Sequence, residues 1–256
     1  MTKPELVRAV RIERARTVAF LRSLTSNQWE VEALPHWRIR EVAAHLITTD
    51  RASVTGTIVP VVVGGTQERL ERWNDRQVGS WADRPIPELL DGLERWGRRL
   101  LRVVRITPAP FYRVPVPTPW GTAPGAMLAW GRAYDEWVHR QDCRLALDRD
   151  LERADLASPA GFVLASIESG IVDRVAVPGT VHIDLRGVPL PSWSSRVGPP
   201  QSATVDRTVR IEADGAVFVM AAAGRRTFAD LEARGDLAVD GDRALADALF
   251  GELRVV

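Results

Sequence analysis

The periodicity of apolar residues changes once along the chain, near residue 150, and this change constrains the fold more than any other feature. Before it, apolar residues recur at the three- and four-residue spacing of helices, and after it short runs alternate with a period of two. With 256 residues and 45% hydrophobic content, the chain can bury two cores. We therefore predict a helical bundle at residues 1–150 and a smaller α+β domain at 155–256.

The first part of the chain predicts four helices separated by turn and proline signals. They extend from the N-terminus to Ser26-Asn27, from Trp37 into the low fifties, from Pro87 to Thr107 and from Pro124 to Asp142. Four such helices form a bundle whose core can hold a metal site built from facing helices. The proline-rich connection 105–123 is predicted to be an ordered crossover or rim.

The second part predicts a mixture of helices and strands. We expect a helix at 156–172, strands at 180–185, 208–212 and 217–222, a short helix at 228–234, a strand at 237–239 and a closing helix from Asp242. Asp214-Gly215 between the second and third of these strands predicts a hairpin turn. The proline-rich segment 189–200 is predicted to be an irregular loop.

Composition excludes several classes of partner. The 34 basic and 33 acidic residues nearly balance, which gives no electrostatic reason to expect nucleic acid or an anionic membrane. The single cysteine, Cys143, cannot form an internal disulfide and is typical of a reducing cytosol. Neither an export signal nor a run of about eighteen apolar residues is present, so we expect a cytoplasmic protein. The oligomeric state stays open.

A carboxylate and an imidazole lie four residues apart in a predicted helix. This spacing places Asp135 and His139 on one face, where both can reach one metal ion. The third ligand is predicted to be His45, because His36 lies in a turn and His182 lies in a strand-like run. Three nitrogen and oxygen ligands leave one position open, which catalysis requires and a structural site does not.

Simpler interpretations of these residues stay open. The Asp135 and His139 pair can be a helical hydrogen bond without a metal. Asp142 can orient the His139 imidazole, or it can cap the helix or pair with a neighbouring arginine. Cys143 is predicted to be an inert, packed thiol.

Two segments together carry a family resemblance. Residues 35–46 and 135–142 resemble the mycothiol-dependent maleylpyruvate isomerase family, the actinobacterial branch of the DinB-like metalloproteins. The dipeptide Gly224-Arg225 and residues 241–246 resemble the sterol-carrier-like domain that many members append. The resemblance implies a DinB-like four-helix bundle at 1–150, which holds a divalent metal, usually zinc, through two histidines and one acidic residue. It also implies a sterol-carrier-like α+β domain at 155–256 and mycothiol as the thiol.

Carried over by position, the resemblance implies His45, Asp135 and His139 as the metal ligands. The characterised isomerase has glutamate at the acidic position, where this chain has aspartate. Glu136 is rotated by about 100° around the helix from Asp135 and is predicted to face elsewhere. The resemblance also implies that Arg76 and Arg225 lie near the site as catalytic residues. A guanidinium can hold a carboxylate by two hydrogen bonds, although a solvated surface role is the alternative for each.

The resemblance implies thiol-dependent chemistry on a small electrophile. Because a metal with an open position favours the thiolate of a bound thiol, mycothiol is the expected nucleophile for isomerisation or transfer. Two other functions stay open. The chain can be a binding or regulatory module without turnover, or a metal-dependent hydrolase in which a bound water replaces the thiol.

Overall fold

The structure is a computed structural model that describes residues 1–58, 61, 67–118, 121–199 and 207–255. The chain divides into two compact units. The first comprises Met1–Pro119 and Pro124–Leu151, and the second comprises Trp120–Ala123 and Glu152–Val256. Among the described residues, every helix is too short or too polar to span a membrane.

The first unit is built from helices, as the sequence predicts. Its helices are α1 (Lys3–Arg22), α2 (Ile39–Thr55), α3 (Gln67–Val78), α4 (Ile86–Ile106) and α5 (Ala126–Ala146). α3 is not among the four predicted helices. Only Leu70, Trp73 and Val78 are apolar in it, so apolar periodicity gave no signal there. The described part of this unit therefore has five helices where the sequence predicted four.

Short non-helical segments connect these helices. Strands β1 (Glu32–Leu34) and β2 (Trp37–Arg38) pair as an antiparallel hairpin directly before α2. His36 occupies the turn with φ of 69°, a left-handed conformation that few residues other than glycine adopt. The predicted crossover at 105–123 contains a 3₁₀ turn (Ala109–Arg113) and strands β3 (Pro115–Thr118) and β4 (Gly121–Pro124). Residues 119 and 120 of this crossover lie outside the described residues.

The apolar faces of these helices form the core of the first unit. α1 packs against α4 and α5, and α2 packs against α4. Ile39, Ala43 and Ile47 on α2 and Leu89 and Leu93 on α4 have no exposed surface. α2 begins where the backbone N–H of Arg38 donates to the Glu41 carboxylate at 2.8 Å, which satisfies one of the free donors at a helix start.

The second unit contains helices and one four-stranded sheet, which agrees with the predicted α+β class. Its strands are β5 (Gly179–Arg186), β6 (Trp193–Val197), β7 (Thr208–Asp214) and β8 (Leu237–Gly241), in the order β6-β5-β7-β8. β5 and β7 are parallel, whereas the two outer strands are antiparallel to their neighbours. The helices are α6 (Ala157–Ser166), α7 (Gly215–Ala222), α8 (Phe228–Ala233) and α9 (Arg243–Glu252). α6 continues through a π turn and a 3₁₀ turn to Arg174.

Two predictions for this unit are wrong. Residues 217–222 form helix α7 and not a strand, and Asp214-Gly215 begins that helix and is not a hairpin turn. The Asp214 carboxylate accepts the N–H groups of Ala216 and Val217 at 3.1 and 3.2 Å. Because every residue of α7 is buried, its sequence is apolar throughout and shows neither helical nor strand periodicity.

The segment 189–200 is not the irregular loop that its prolines predict. It contains β6, which pairs with β5 from Ile183 opposite Trp193 to Gly179 opposite Val197. Among the described strands this edge strand has one neighbour, and exposed residues alternate in it with partly buried ones and the buried Val197, so its composition resembles that of a loop. Residue 200 lies outside the described residues.

Gly92 on α4 tests the packing of the first unit. A Cβ atom there would lie 2.6 Å from Cζ3 of Trp81 and 3.1 Å from Cδ1 of Ile47, closer than carbon atoms pack. We expect Gly92→Ala to lower the free energy of unfolding by about 1–3 kcal/mol, because overpacking outweighs the gain in helix propensity. Urea denaturation followed by circular dichroism measures this change.

Gly251 on α9 provides the matched control. An added Cβ atom there has no neighbour within 4 Å in the part of the chain that the structure describes. We expect Gly251→Ala to leave the free energy of unfolding unchanged or to raise it by up to about 1 kcal/mol. Equal effects of the two substitutions would contradict the close contact between Gly92 and Trp81.

Candidate metal centre

Two helices of the first unit bring the three sequence-predicted ligands together. α2 carries His45, and α5 carries Asp135 and His139 one turn apart on one face. One donor atom of each side chain lies within 4.8 Å of the donor atoms of the other two. Both histidines are buried, with 4% and 7% of their surface exposed. The group therefore has the composition and the proximity of a three-ligand metal site.

The distances between the donor atoms fit three side chains that bind one metal ion. Nε2 of His45 lies 3.5 Å from Oδ2 of Asp135, and Nε2 of His139 lies 3.5 Å from Oδ1 of the same carboxylate. The two imidazole rings meet edge to face, with centroids 4.8 Å apart. Ligands at about 2.0–2.1 Å from a tetrahedral ion are about 3.3–3.4 Å apart, close to these separations.

The hydrogen bonding of the two imidazoles also fits a metal. Both ring nitrogens of His45 are buried and have no hydrogen-bond partner among the described residues, which is costly for a polar group unless a metal ion or another group satisfies it. Nδ1 of His139 lies 3.0 Å from Oδ2 of Asp142. A proton on Nδ1 donated to Asp142 leaves the Nε2 lone pair available for a metal, as outer carboxylates do in zinc proteins. Asp142 thus contacts the imidazole, one of its two interpretations from sequence.

The protonation states suit ligation as well. Burial lowers the pKa of His45, against the opposing effect of the Asp135 carboxylate, so this imidazole is neutral at neutral pH. Burial acts to raise the pKa of Asp135, but the charge of Arg132, together with interactions with the two imidazoles, outweighs burial and holds that pKa well below its usual value. The centre therefore presents one anionic oxygen ligand and a neutral nitrogen ligand.

A buried network of charges surrounds Asp135. Nη1 of Arg132 donates to Oδ2 of Asp135 at 2.5 Å, while Nε and Nη2 donate to Oδ1 of Asp50 at 3.2 and 3.0 Å. Oδ2 of Asp50 accepts a further hydrogen bond from Arg14, which also pairs with Glu136. Sequence analysis did not identify Arg132 or Asp50. The available signal was the three-residue spacing between Arg132 and Asp135, which places both on one helix face.

Trp37 forms one wall of the centre. It lies on β2, immediately before α2, and its ring centroid is 5.2 Å from that of His45 and 6.4 Å from that of His139. Its side chain is half-buried. The hairpin of β1 and β2 thus places an aromatic surface beside both imidazoles.

The two predicted arginines lie in different units. Arg76 is exposed on α3 of the first unit. Arg225 is half-buried in the second unit, where its Nη1 donates to the carbonyl of Ala223 at 3.1 Å. Their roles as catalytic residues stay predictions.

The other singled-out residues lie outside the group of three ligands. His36 is exposed in the hairpin turn, and His182 lies on β5 of the second unit. Glu136 faces Arg14, in agreement with its predicted rotation away from Asp135. Cys143 is 1% exposed. Burial and the nearby charge of Asp142 raise the pKa of its thiol.

The fold and this centre together define a class of helical-bundle proteins with a candidate metal site between facing helices. The chain belongs to the mycothiol maleylpyruvate isomerase N-terminal domain family, which matches residues 10–144. This match contains all three proposed ligands and Arg76. It confirms the family resemblance of the sequence.

Two solved structures are similar to this chain over 88% of its length and 90% of theirs. One is the crystal structure of the mycothiol-dependent maleylpyruvate isomerase, with a TM-score of 0.57 and 20% sequence identity. The other is a histidine-to-alanine mutant of that isomerase, with a TM-score of 0.56 and 18% identity. At these identities the likeness establishes the fold. None of the curated proteins compared with the chain matches it.

The burial of Cys143 predicts that its thiol is unreactive in the native protein. Because alkylation requires an accessible thiolate, we expect native protein to resist iodoacetamide at neutral pH and denatured protein to react fully. Mass spectrometry after timed exposure measures the modified fraction. Rapid alkylation of the native protein would contradict the buried position.

Proposed function

We propose that this protein is a metal-dependent isomerase that uses mycothiol as a thiol cosubstrate and acts on a small electrophile. The observation that carries the proposal is the convergence of His45, Asp135 and His139 within 4.8 Å. The family to which the chain belongs supports a thiol-dependent isomerase. Transfer of the thiol to an electrophile with a leaving group is the related reaction that this centre can also support.

The donor set fits a divalent ion, and zinc is the ion we propose. Nε2 of His45, Nε2 of His139 and one oxygen of Asp135 would hold it, a combination of nitrogen and oxygen ligands that zinc prefers. When bound, the ion would supply a Lewis acid with one open position that lowers the pKa of a thiol. The hydrogen bond between His139 and Asp142 fixes the orientation of one ligand ring.

The thiol must come from outside the chain. Cys143 is the only cysteine, and burial both blocks its access to substrate and raises the pKa of its thiol. In the proposed reaction, the thiolate of mycothiol adds to a carbon–carbon double bond that is conjugated with a carbonyl. The electron pair moves onto the carbonyl oxygen, the new single bond rotates, and expulsion of the thiolate restores the double bond in the trans form. The thiol is regenerated, so atoms and electrons balance.

The remaining assignments are also proposals. We propose residues 1–150 as a DinB-like metal-binding bundle and 155–256 as a sterol-carrier-like domain. We propose that Arg76 and Arg225 hold carboxylate groups of the substrate or of mycothiol, because a guanidinium binds a carboxylate by paired hydrogen bonds. A single buried cysteine supports a cytoplasmic location.

Metal content tests the ligand set directly. We expect elemental analysis of the purified protein to find one divalent ion per chain. His45→Ala and His139→Ala should each lose it, because two protein ligands bind zinc far more weakly than three. The chain offers matched controls in its other histidines, and His36→Ala and His182→Ala should keep the ion. Equal loss from all four variants would contradict these ligands.

Omission of the thiol tests the reaction class. Because maleylpyruvate is the substrate named for the solved relatives, we choose it as the first probe, with mycothiol supplied. We expect cis-trans conversion that stops when mycothiol is omitted. Cys143→Ser should keep most of the activity, while His139→Ala should lose activity and metal together. Absorbance of the conjugated product follows the rate.

Three other outcomes identify the alternatives. Turnover of an electrophile at the same rate without thiol would favour a metal-dependent hydrolase. A thioether that accumulates from an electrophile with a leaving group would identify a transferase. Metal binding without turnover, and without any binding of mycothiol, would favour a regulatory or binding module.

A further inference from the structure

Arg132 is a buried cation that contacts the candidate metal centre. Only 7% of its surface is exposed. Its guanidinium bridges two carboxylates, since Nη1 donates to Oδ2 of Asp135 at 2.5 Å while Nε and Nη2 donate to Oδ1 of Asp50. Charge-assisted bonds of this kind are shorter and stronger than neutral ones. The side chain is thus held on two sides.

Asp50 is itself held in place from the opposite side. It has no exposed surface and lies on α2, the helix that carries His45. Its Oδ2 accepts a hydrogen bond from Nη2 of Arg14 at 2.5 Å, and Nη1 of Arg14 donates to the carbonyl of Leu93 at 3.0 Å. Contacts therefore connect Leu93 on α4 through Arg14 and Asp50 to Arg132. A shift of the Arg132 guanidinium would therefore break two charge-assisted hydrogen bonds to the buried Asp50 carboxylate, which is costly.

The bond from Arg132 distinguishes the two oxygens of Asp135. Oδ2 accepts the hydrogen bond from the guanidinium and lies 3.5 Å from Nε2 of His45, whereas Oδ1 lies 3.5 Å from Nε2 of His139. The charge-assisted hydrogen bond draws electron density from Oδ2, so Oδ1 is the stronger donor to a metal. We propose that Arg132, fixed by Asp50, is a positioning residue that limits Asp135 to binding the metal through one oxygen. This inference rests on the proposed metal site. If Asp135 binds through one oxygen, the metal ion has a low coordination number, and a position stays open for the thiol.

Cobalt-substituted protein tests this inference without any assay of activity. The visible absorption of Co²⁺ is intense in four-coordinate sites and weakens as the coordination number rises. We expect Arg132→Met still to bind one ion, but with weakened absorption, because Oδ2 of Asp135 becomes free to coordinate. Zinc affinity, measured by competition with a chelator, should fall by about 10- to 100-fold. Arg132→Lys keeps one charged donor and should restore part of both properties.

Arg40→Met is the matched control. Arg40 is a partly buried arginine on α2 whose guanidinium donates to the carbonyls of Ala82 and Arg84, and it pairs with Glu30. Its loss should lower the free energy of unfolding and leave the cobalt spectrum and the zinc affinity unchanged. A purely structural role for Arg132 would give this same pattern for Arg132→Met and would overturn the inference.

A second variant covers the case in which Arg132→Met does not fold. Asp50→Asn keeps the side-chain volume but weakens the hold on Arg132, so the cobalt absorption and zinc affinity should change in the same direction and by less. A wild-type spectrum and affinity in Asp50→Asn would then overturn the inference. If the wild-type chain binds neither zinc nor cobalt, the proposed metal site fails first. Metal binding that Arg132→Met leaves unaltered removes only the positioning role.

Discussion

Paired charges buried inside the helical unit set the arrangement of its helices. Asp50 has no exposed surface, and Arg132, Arg140 and Glu13 are almost fully buried. Nη2 of Arg140 donates to Glu13 on α1 at 2.7 Å, just as Arg132 donates to Asp50 on α2. Removing one partner of such a pair lowers the free energy of unfolding by about 3–5 kcal/mol, because the other charge stays buried without its partner. These pairs therefore hold α1, α2 and α5 in fixed positions relative to one another. The three proposed ligands on α2 and α5 are held in place with them.

The same burial acts differently on each ionisable group, according to its neighbours. At His45 burial outweighs the opposing effect of the Asp135 carboxylate, so the pKa is lowered and the imidazole is neutral. Arg132 outweighs burial at Asp135 and keeps the carboxylate ionised. Cys143 has a carboxylate nearby and no metal ligand role, so burial raises the pKa of its thiol. One helix, α5, thus carries an ionised carboxylate, the proposed ligand, and a buried thiol within about two to three turns.

The comparisons and the geometry support different parts of the function. The family match contains the three proposed ligands, and the structural likeness extends over most of the chain. Fold alone does not identify a substrate, because one fold hosts several chemistries. The proposal for this chain therefore depends on the centre itself, where the short side chain of Asp135 is held by Arg132. The support of that carboxylate is a local property that neither comparison describes.

The sequence by itself determined the helical class of the first unit, the mixed class of the second, and the spacing that places Asp135 and His139 on one face. These follow from local periodicity, which depends only on neighbouring residues. Only the tertiary structure decided that residues 217–222 form a helix, because a segment buried on every side shows no periodicity. It also decided which oxygen of Asp135 meets Arg132. That contact depends on Asp50, 82 residues away from Arg132 along the chain, and the pairing of distant charges leaves no periodic signal in sequence.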